Sequence, residues 1–123
     1  MSRHNKDIGK TGEKEAVNYL LKQGYQIVEQ NFHSHWGEID IISQKNKTLV
    51  FIEVKTRMNN GFGKPYESVN SAKIKKLFRS IQYFLLKKDF KDYKLSLDVI
   101  SIELNSNLSL KNLKHFENVS AYQ

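Results

Sequence analysis

The sequence predicts a mixed α/β fold, a β-sheet flanked by helices in the order α-β-β-β-α-β, with a weaker β segment at the end. Three observations predict it. Two segments carry apolar residues at helical spacing, four runs are rich in Val, Ile, Phe and Tyr, and clusters of Gly and Asn separate them. With 123 residues, 39% hydrophobic and 27% charged, the chain matches one domain able to bury a single core, and residues 1–8 form its flexible lead.

The first helix spans roughly residues 11–23. Ala16, Val17, Leu20 and Leu21 make its apolar stripe, and Gly24 supplies the stop. Glu13 precedes Ala16, Val17 and Leu20 by three, four and seven positions, so it shares the inward side of that helix. A glutamate there serves either a site or the helix dipole, as Glu15 also could. Tyr25, Ile27 and Val28 indicate a short strand up to Phe32. Next come Trp36-Gly37-Glu38-Ile39-Asp40-Ile41-Ile42-Ser43 and Thr48-Leu49-Val50-Phe51-Ile52-Glu53-Val54-Lys55-Thr56, which read as a hairpin turning at Asn46 and Lys47. Asn46 is the residue expected to adopt a left-handed conformation.

Asn59-Asn60-Gly61-Phe62-Gly63-Lys64-Pro65 breaks the pattern and must be a loop. Asn70 or Ser71 then caps a second helix to about residue 88, with Ile74, Leu77, Phe78, Ile81 and Leu85 on its apolar face. A β-like run covers 95–104, and Leu113, Phe116 and Val119 suggest a closing edge strand.

Composition excludes several functions. There is no cysteine, so disulfides, thiolate zinc sites, iron–sulfur clusters and cysteine nucleophiles are ruled out. No apolar run approaches the ~20 residues of a membrane helix, and Met1-Ser2-Arg3-His4-Asn5-Lys6 leads into no apolar signal core. The expectation is a soluble, cytoplasmic protein with no membrane partner. The formal net charge is +7, and residues 64–94 hold nine Lys or Arg against Glu67, Asp89 and Asp92. Such a stripe suits a polyanion, nucleic acid before membrane.

Strand alternation brings acids together. Glu38, Asp40 and Ile42 share one face of the second strand, and Leu49, Phe51, Glu53 and Lys55 share one face of the third. A turn at Asn46-Lys47 makes paired positions sum to 93, which sets Asp40 directly across from Glu53. Adjacent carboxylates destabilise a sheet unless positive charge lies between them. A divalent cation or Lys55 would supply it. Hard oxygen donors without cysteine suit Mg²⁺ or Mn²⁺, held by Asp40, Glu53 and the Val54 backbone carbonyl. A cation so placed would polarise a phosphodiester while Lys55 offsets developing charge.

Gly37-Glu38-Ile39-Asp40 followed by Val50-Phe51-Ile52-Glu53-Val54-Lys55-Thr56-Arg57 resembles the PD-(D/E)XK nuclease signature in the form seen in the YraN family, related to archaeal Holliday-junction resolvases. Gly12-Glu13, Ala16, Gly24-Tyr25, Asn31-Phe32, Phe62-Gly63, Pro65, Lys73 and Asp98-Val99 extend the likeness over nearly the whole chain. The resemblance implies a restriction-endonuclease-like fold, Asp40 and Glu53 as metal ligands, Lys55 as catalytic lysine and Glu13 as a helix-borne member of the site. Its implied function is metal-dependent cleavage of DNA, branched DNA being one substrate. The alternative is a non-catalytic nucleic-acid-binding module of the same fold.

Arg57, Lys64, Lys73, Lys76 and Arg79 are the candidate phosphate contacts. His33-Ser34-His35 reads as a metal-binding pair or as exposed turn residues, and Trp36 as a base-stacking ring or as packing against the first helix. Gln82 and Tyr83 serve either DNA contact or the surface. Asp98 either joins the acidic cluster or makes a local hydrogen bond. Cutting both strands symmetrically needs two sites, which a homodimer would provide.

Overall fold

The structure is a computed structural model that describes residues 3–58 and 71–119. Helix α1 (Arg3–Lys22) leads into strands β1 (Gln26–Ser34), β2 (Gly37–Lys45) and β3 (Thr48–Met58). Helix α2 (Ser71–Lys87) then precedes β4 (Lys94–Leu104) and β5 (Leu110–Phe116). The five strands lie in chain order in one sheet, antiparallel throughout except that β3 and β4 run parallel. That parallel pair is the one joined through α2, because strands running the same way need a crossover connection. The expected order, including the weak last strand, is the one observed.

Each face of the sheet carries one helix. Ala16 and Leu20 of α1 pack with Ile41, Val50, Ile52, Ile100 and Ile102. Ile74, Leu77, Ile81 and Phe84 of α2 pack with Ile42, Leu49, Phe51, Leu97 and Val99 on the other face. Helix α1 starts at Arg3, well before the expected residue 11. Ile8, two turns ahead of Ala16, continues the inward stripe onto the same cluster, and burial outweighs the poor helix propensity of Gly9 and Gly12. Gly12 is needed there. A Cβ at that position would lie 2.8 Å from the Thr56 Cβ.

The end of α1 follows the sequence. Tyr25 N–H donates to the Leu20 carbonyl at 2.9 Å and Gly24 N–H to that of Leu21 at 3.1 Å, with Gly24 at φ 91°. These paired bonds close the helix around a left-handed residue. On α2 the buried residues are Ile74, Leu77, Ser80, Ile81 and Phe84, while Phe78, expected inside, is 44% exposed. The stripe is rotated because Phe84 meets both Phe32 and Phe51 edge-on. Leu21 likewise faces outward.

The β2–β3 hairpin turns at Asn46 and Lys47, both with positive φ, and its pairs Ile41↔Ile52 through Lys45↔Thr48 sum to 93 as expected. The loop expected at 59–65, with Lys64, lies outside the described residues.

Candidate active site

The β2–β3 ladder stops at Ile41↔Ile52, one step short of Asp40 and Glu53. Beyond it Asp40 Oδ2 accepts the Val54 backbone N–H at 2.8 Å, so a side chain takes over a bond that the neighbouring strand would otherwise make. Strict alternation fails at the same point. Ile39 and Ile42 both pack on the α2 side and Ile41 on the α1 side, so Asp40 marks a slip in β2. The expectation that Glu38, Asp40 and Ile42 share one face is thereby corrected. Continuing the β1–β2 register sets Asn31 opposite Asp40, and Asn31 has φ 52°. The strands fork here, and a fork admits side chains from both faces.

Glu53 receives lysines from two elements. Lys73 of α2 donates to Glu53 Oε1 at 3.2 Å, and Lys55 Nζ lies 3.6 Å from the same oxygen. Burial, reinforced by Lys73, pulls Lys55 below the ordinary lysine range. Asp40 is the opposite case. Burial first, and then the Glu53 charge, push its carboxyl from 3.8 up to about 7, against the lowering effect of the Val54 hydrogen bond.

From the other face α1 contributes Glu13. Asn31, its amide oriented by the carboxylates it meets, donates to Glu38 Oε1 at 2.8 Å and to Glu13 Oε1 at 3.1 Å. Burial and the nearby Glu38 raise Glu13 above the usual glutamate range, while the Asn31 bond partly opposes them. The residues expected to act together, Glu13, Asp40, Glu53 and Lys55, are thus electrostatically linked at one fork. Asn31 was not singled out as a site residue. An asparagine inside an otherwise β-rich run was the signal available.

Glu53 lines two clefts. One, of 540 Å³, includes Glu13, Asp40, Val54 and Arg57, and the other, of 440 Å³, includes Trp36, Glu38, Lys73 and Lys76. Among the described residues no three acidic or imidazole side chains are close enough to hold one ion by themselves.

Residues 12–102 match the family described as Uncharacterised protein family UPF0102. This chain belongs to the UPF0102 family. It is 44% identical over 104 residues to a UPF0102 protein of Persephonella marina, covering 85% of this chain and 90% of the relative. It is 42% identical to one of Fusobacterium nucleatum, covering 80% and 82%, and 40% identical to one of Clostridium acetobutylicum, covering 96% and 97%.

The UPF0102 match contains every described site residue named so far. In this UPF0102 chain Arg57 lines the Asp40 cleft and Lys76 the Trp36 cleft, whereas Arg79 is exposed and lines neither. Lys73, expected as a phosphate contact, is turned inward onto Glu53. Trp36 does not reach the first helix. Its ring centroid lies 6.2 Å from that of Tyr83 on α2, because the turn carrying it folds toward that face. Tyr83 is half-buried by Phe32 and Trp36, while Gln82 is exposed. His33 pairs with Glu38 at 3.4 Å and His35 sits edge-on to Trp36.

Asp98 stays out of the acidic cluster. It is 1% exposed and accepts from Ser96 Oγ at 2.6 Å, the Asn118 N–H at 3.0 Å and His115 Nε2 at 2.7 Å. The Tyr19 hydroxyl lies 2.9 Å from His115 Nδ1. This network ties β5 to α1 through β4, and no spacing rule links residues so far apart in sequence. No helix among the described residues is long and apolar enough to cross a membrane.

Proposed function

We propose that this UPF0102 protein is a metal-dependent endonuclease of the PD-(D/E)XK superfamily that hydrolyses DNA phosphodiester bonds, with branched DNA among its substrates. One observation carries this reading: a half-buried carboxylate pushed up to about 7, a carboxylate shared by two lysines and a helix-borne glutamate are linked at one strand fork. An arrangement that raises some carboxyls and depresses a lysine is costly for a purely structural surface and typical of sites that handle protons and charge.

Asp40, Glu53 and the Val54 carbonyl are the groups that would hold Mg²⁺ or Mn²⁺. Their hard oxygens fit such an ion, and burial first, then the neighbouring Glu53 charge, leave the Asp40 carboxylate short of positive compensation. Magnesium commonly takes one or two carboxylates and completes its shell with water and substrate phosphate, so a third protein carboxylate is not required. When bound, the ion would polarise the phosphodiester and promote ionisation of an attacking water. Lys55 releases a proton more readily than a surface lysine, which suits proton exchange beside a phosphate. Lys73 and Lys76 offer positive charge along the neighbouring cleft.

The test is an assay on duplex, single-stranded, flapped and four-way DNA with Mg²⁺, Mn²⁺ or EDTA. Cleavage is expected only with a divalent ion, and Asp40→Asn, Glu53→Gln and Lys55→Ala should each abolish it while melting as folded proteins. A variant cutting as fast as wild type would overturn the site assignment. The second reading, a binding module without turnover, draws support from the Lys73–Glu53 pair, which already neutralises a proposed ligand. It predicts DNA binding with no cleavage under any ion.

A further inference from the structure

The cleft on the α2 side of Glu53 has a composition that phosphate chemistry alone does not require. Its 440 Å³ are lined by Trp36 and by Ala72, Lys73, Lys76 and Leu77 of α2, with Glu53 shared with the Asp40 cleft. Apolar walls, an aromatic face and adjacent ammonium groups fit a base with its phosphate better than a backbone alone.

The turn that carries the indole is pinned by its own hydrogen bonds, and His35 and Tyr83 contact the ring. His35 and Trp36 form the turn between β1 and β2. The Trp36 backbone N–H donates to Ser34 Oγ at 3.2 Å, and Ser34 Oγ donates to the Gly37 carbonyl at 3.0 Å. Ser34 Oγ also lies 2.7 Å from Ser80 Oγ. With its own proton committed to Gly37, Ser34 accepts that of Ser80, so a buried hydroxyl of α2 pins the turn. Tyr83 supports the ring from the side. A half-exposed tryptophan fixed in advance loses little entropy on stacking.

We propose that this cleft is a base pocket: it receives one unpaired nucleotide of a DNA strand, stacked on Trp36, with the adjoining phosphate on the Lys73 and Lys76 side of the cleft. This rests on the nuclease reading and narrows it to DNA carrying an unpaired nucleotide beside the reacting phosphate, such as a flap, a fork or a single strand. A paired base is already stacked on both faces and must be unstacked at a cost before it can enter.

Trp36 is the chain's one tryptophan, so its fluorescence reports the pocket directly. The full chain is titrated in Ca²⁺ buffer with a single-stranded oligonucleotide, with a strand of the same length made of abasic sites, and with a blunt-ended duplex of two complementary strands. Quenching is expected from the first, with little from the other two. Trp36→Leu should bind the single strand about 5- to 150-fold more weakly and the abasic strand unchanged. Trp36→Phe, which keeps a ring, should retain most of the affinity and the fold.

Equal quenching by the abasic strand, or unaltered single-strand affinity in Trp36→Leu, would overturn the pocket. Should Trp36→Leu fail to fold, wild-type quenching and the Trp36→Phe affinities still decide. The two proposals fail separately. Base-dependent quenching without cleavage under any ion removes the nuclease and keeps the pocket, whereas cleavage without base-dependent quenching does the reverse.

Discussion

Val54 donates its backbone N–H to Asp40 Oδ2 at 2.8 Å, across the point where the pairing of their two strands has ended. The bond keeps a carboxylate at the fork in place of a ladder contact, yet one N–H does not offset burial beside Glu53. A carboxylate is therefore held where charge is expensive.

That cost is readable in stability. The folded Asp40 titrates near 7 and its unperturbed value is 3.8, so the folded state holds a proton the unfolded chain has lost between those values. The stability Asp40 contributes is fully present below about pH 4 and is lost as pH rises through 7. Asp40→Asn keeps an oxygen for Val54 and removes the charge. In EDTA at pH 8 it should be more stable than wild type, by up to about 4 kcal/mol at ~1.36 kcal/mol per pKa unit. Urea melts at pH 8 and pH 4 should show the difference and its disappearance.

The same charge affects binding. Without a divalent ion, Asp40, Glu53, Glu38 and Glu13 oppose an incoming phosphate, by roughly 2–4 kcal/mol per close pair before screening. Asp40→Asn should therefore bind DNA more tightly than wild type in EDTA, and Ca²⁺ should strengthen wild type more than the variant. Equal EDTA affinities with no differential calcium effect would place the phosphate elsewhere.

On α2, Lys76 lines a cleft and Arg79 is exposed beside it. If both contact duplex phosphates, replacing the pair by Ala should lower the slope of log K against log salt by about 1.8, at ~0.9 per contact. An unchanged slope would assign these charges to solubility.

The approach of α1 to β3 depends on Gly12. Ala is the better helix former by about 1 kcal/mol, but its methyl would sit inside the Thr56 side chain. Overpacking should dominate, so Gly12→Ala loses about 1–3 kcal/mol in a denaturant melt. Thr56→Ala in that background should restore part of the loss.

Removing Asp98 strands a buried imidazole partner and two further donors. Asp98→Ala should cost about 3–5 kcal/mol, the scale for breaking a buried pair. Because the network lies apart from the fork, specific cleavage activity of the folded fraction should be unchanged.

Much of the architecture was legible because its causes are local. The turn at Asn46-Lys47 fixed the hairpin register by chain length alone, and that register brings Asp40 and Glu53 to the same end of β2 and β3. Gly24 ended α1 because only a residue tolerant of positive φ closes that turn. Less local features were misread. Phe78 and Phe84 lie on neighbouring helical stripes, and the sheet's aromatic rings, not the helix period, decided which was buried.

By itself, the sequence determined the element order, the hairpin register and the presence of acids and a lysine on adjacent strands, since periodicity and turn chemistry act within a few residues. Only the tertiary structure decided that the strands part at Asp40, that Glu13 and Lys73 enter the fork from opposite faces, and that Trp36 turns to α2. Those outcomes depend on how two helices pack against a twisted sheet, a competition among contacts between residues far apart in sequence. No spacing rule within one element encodes it.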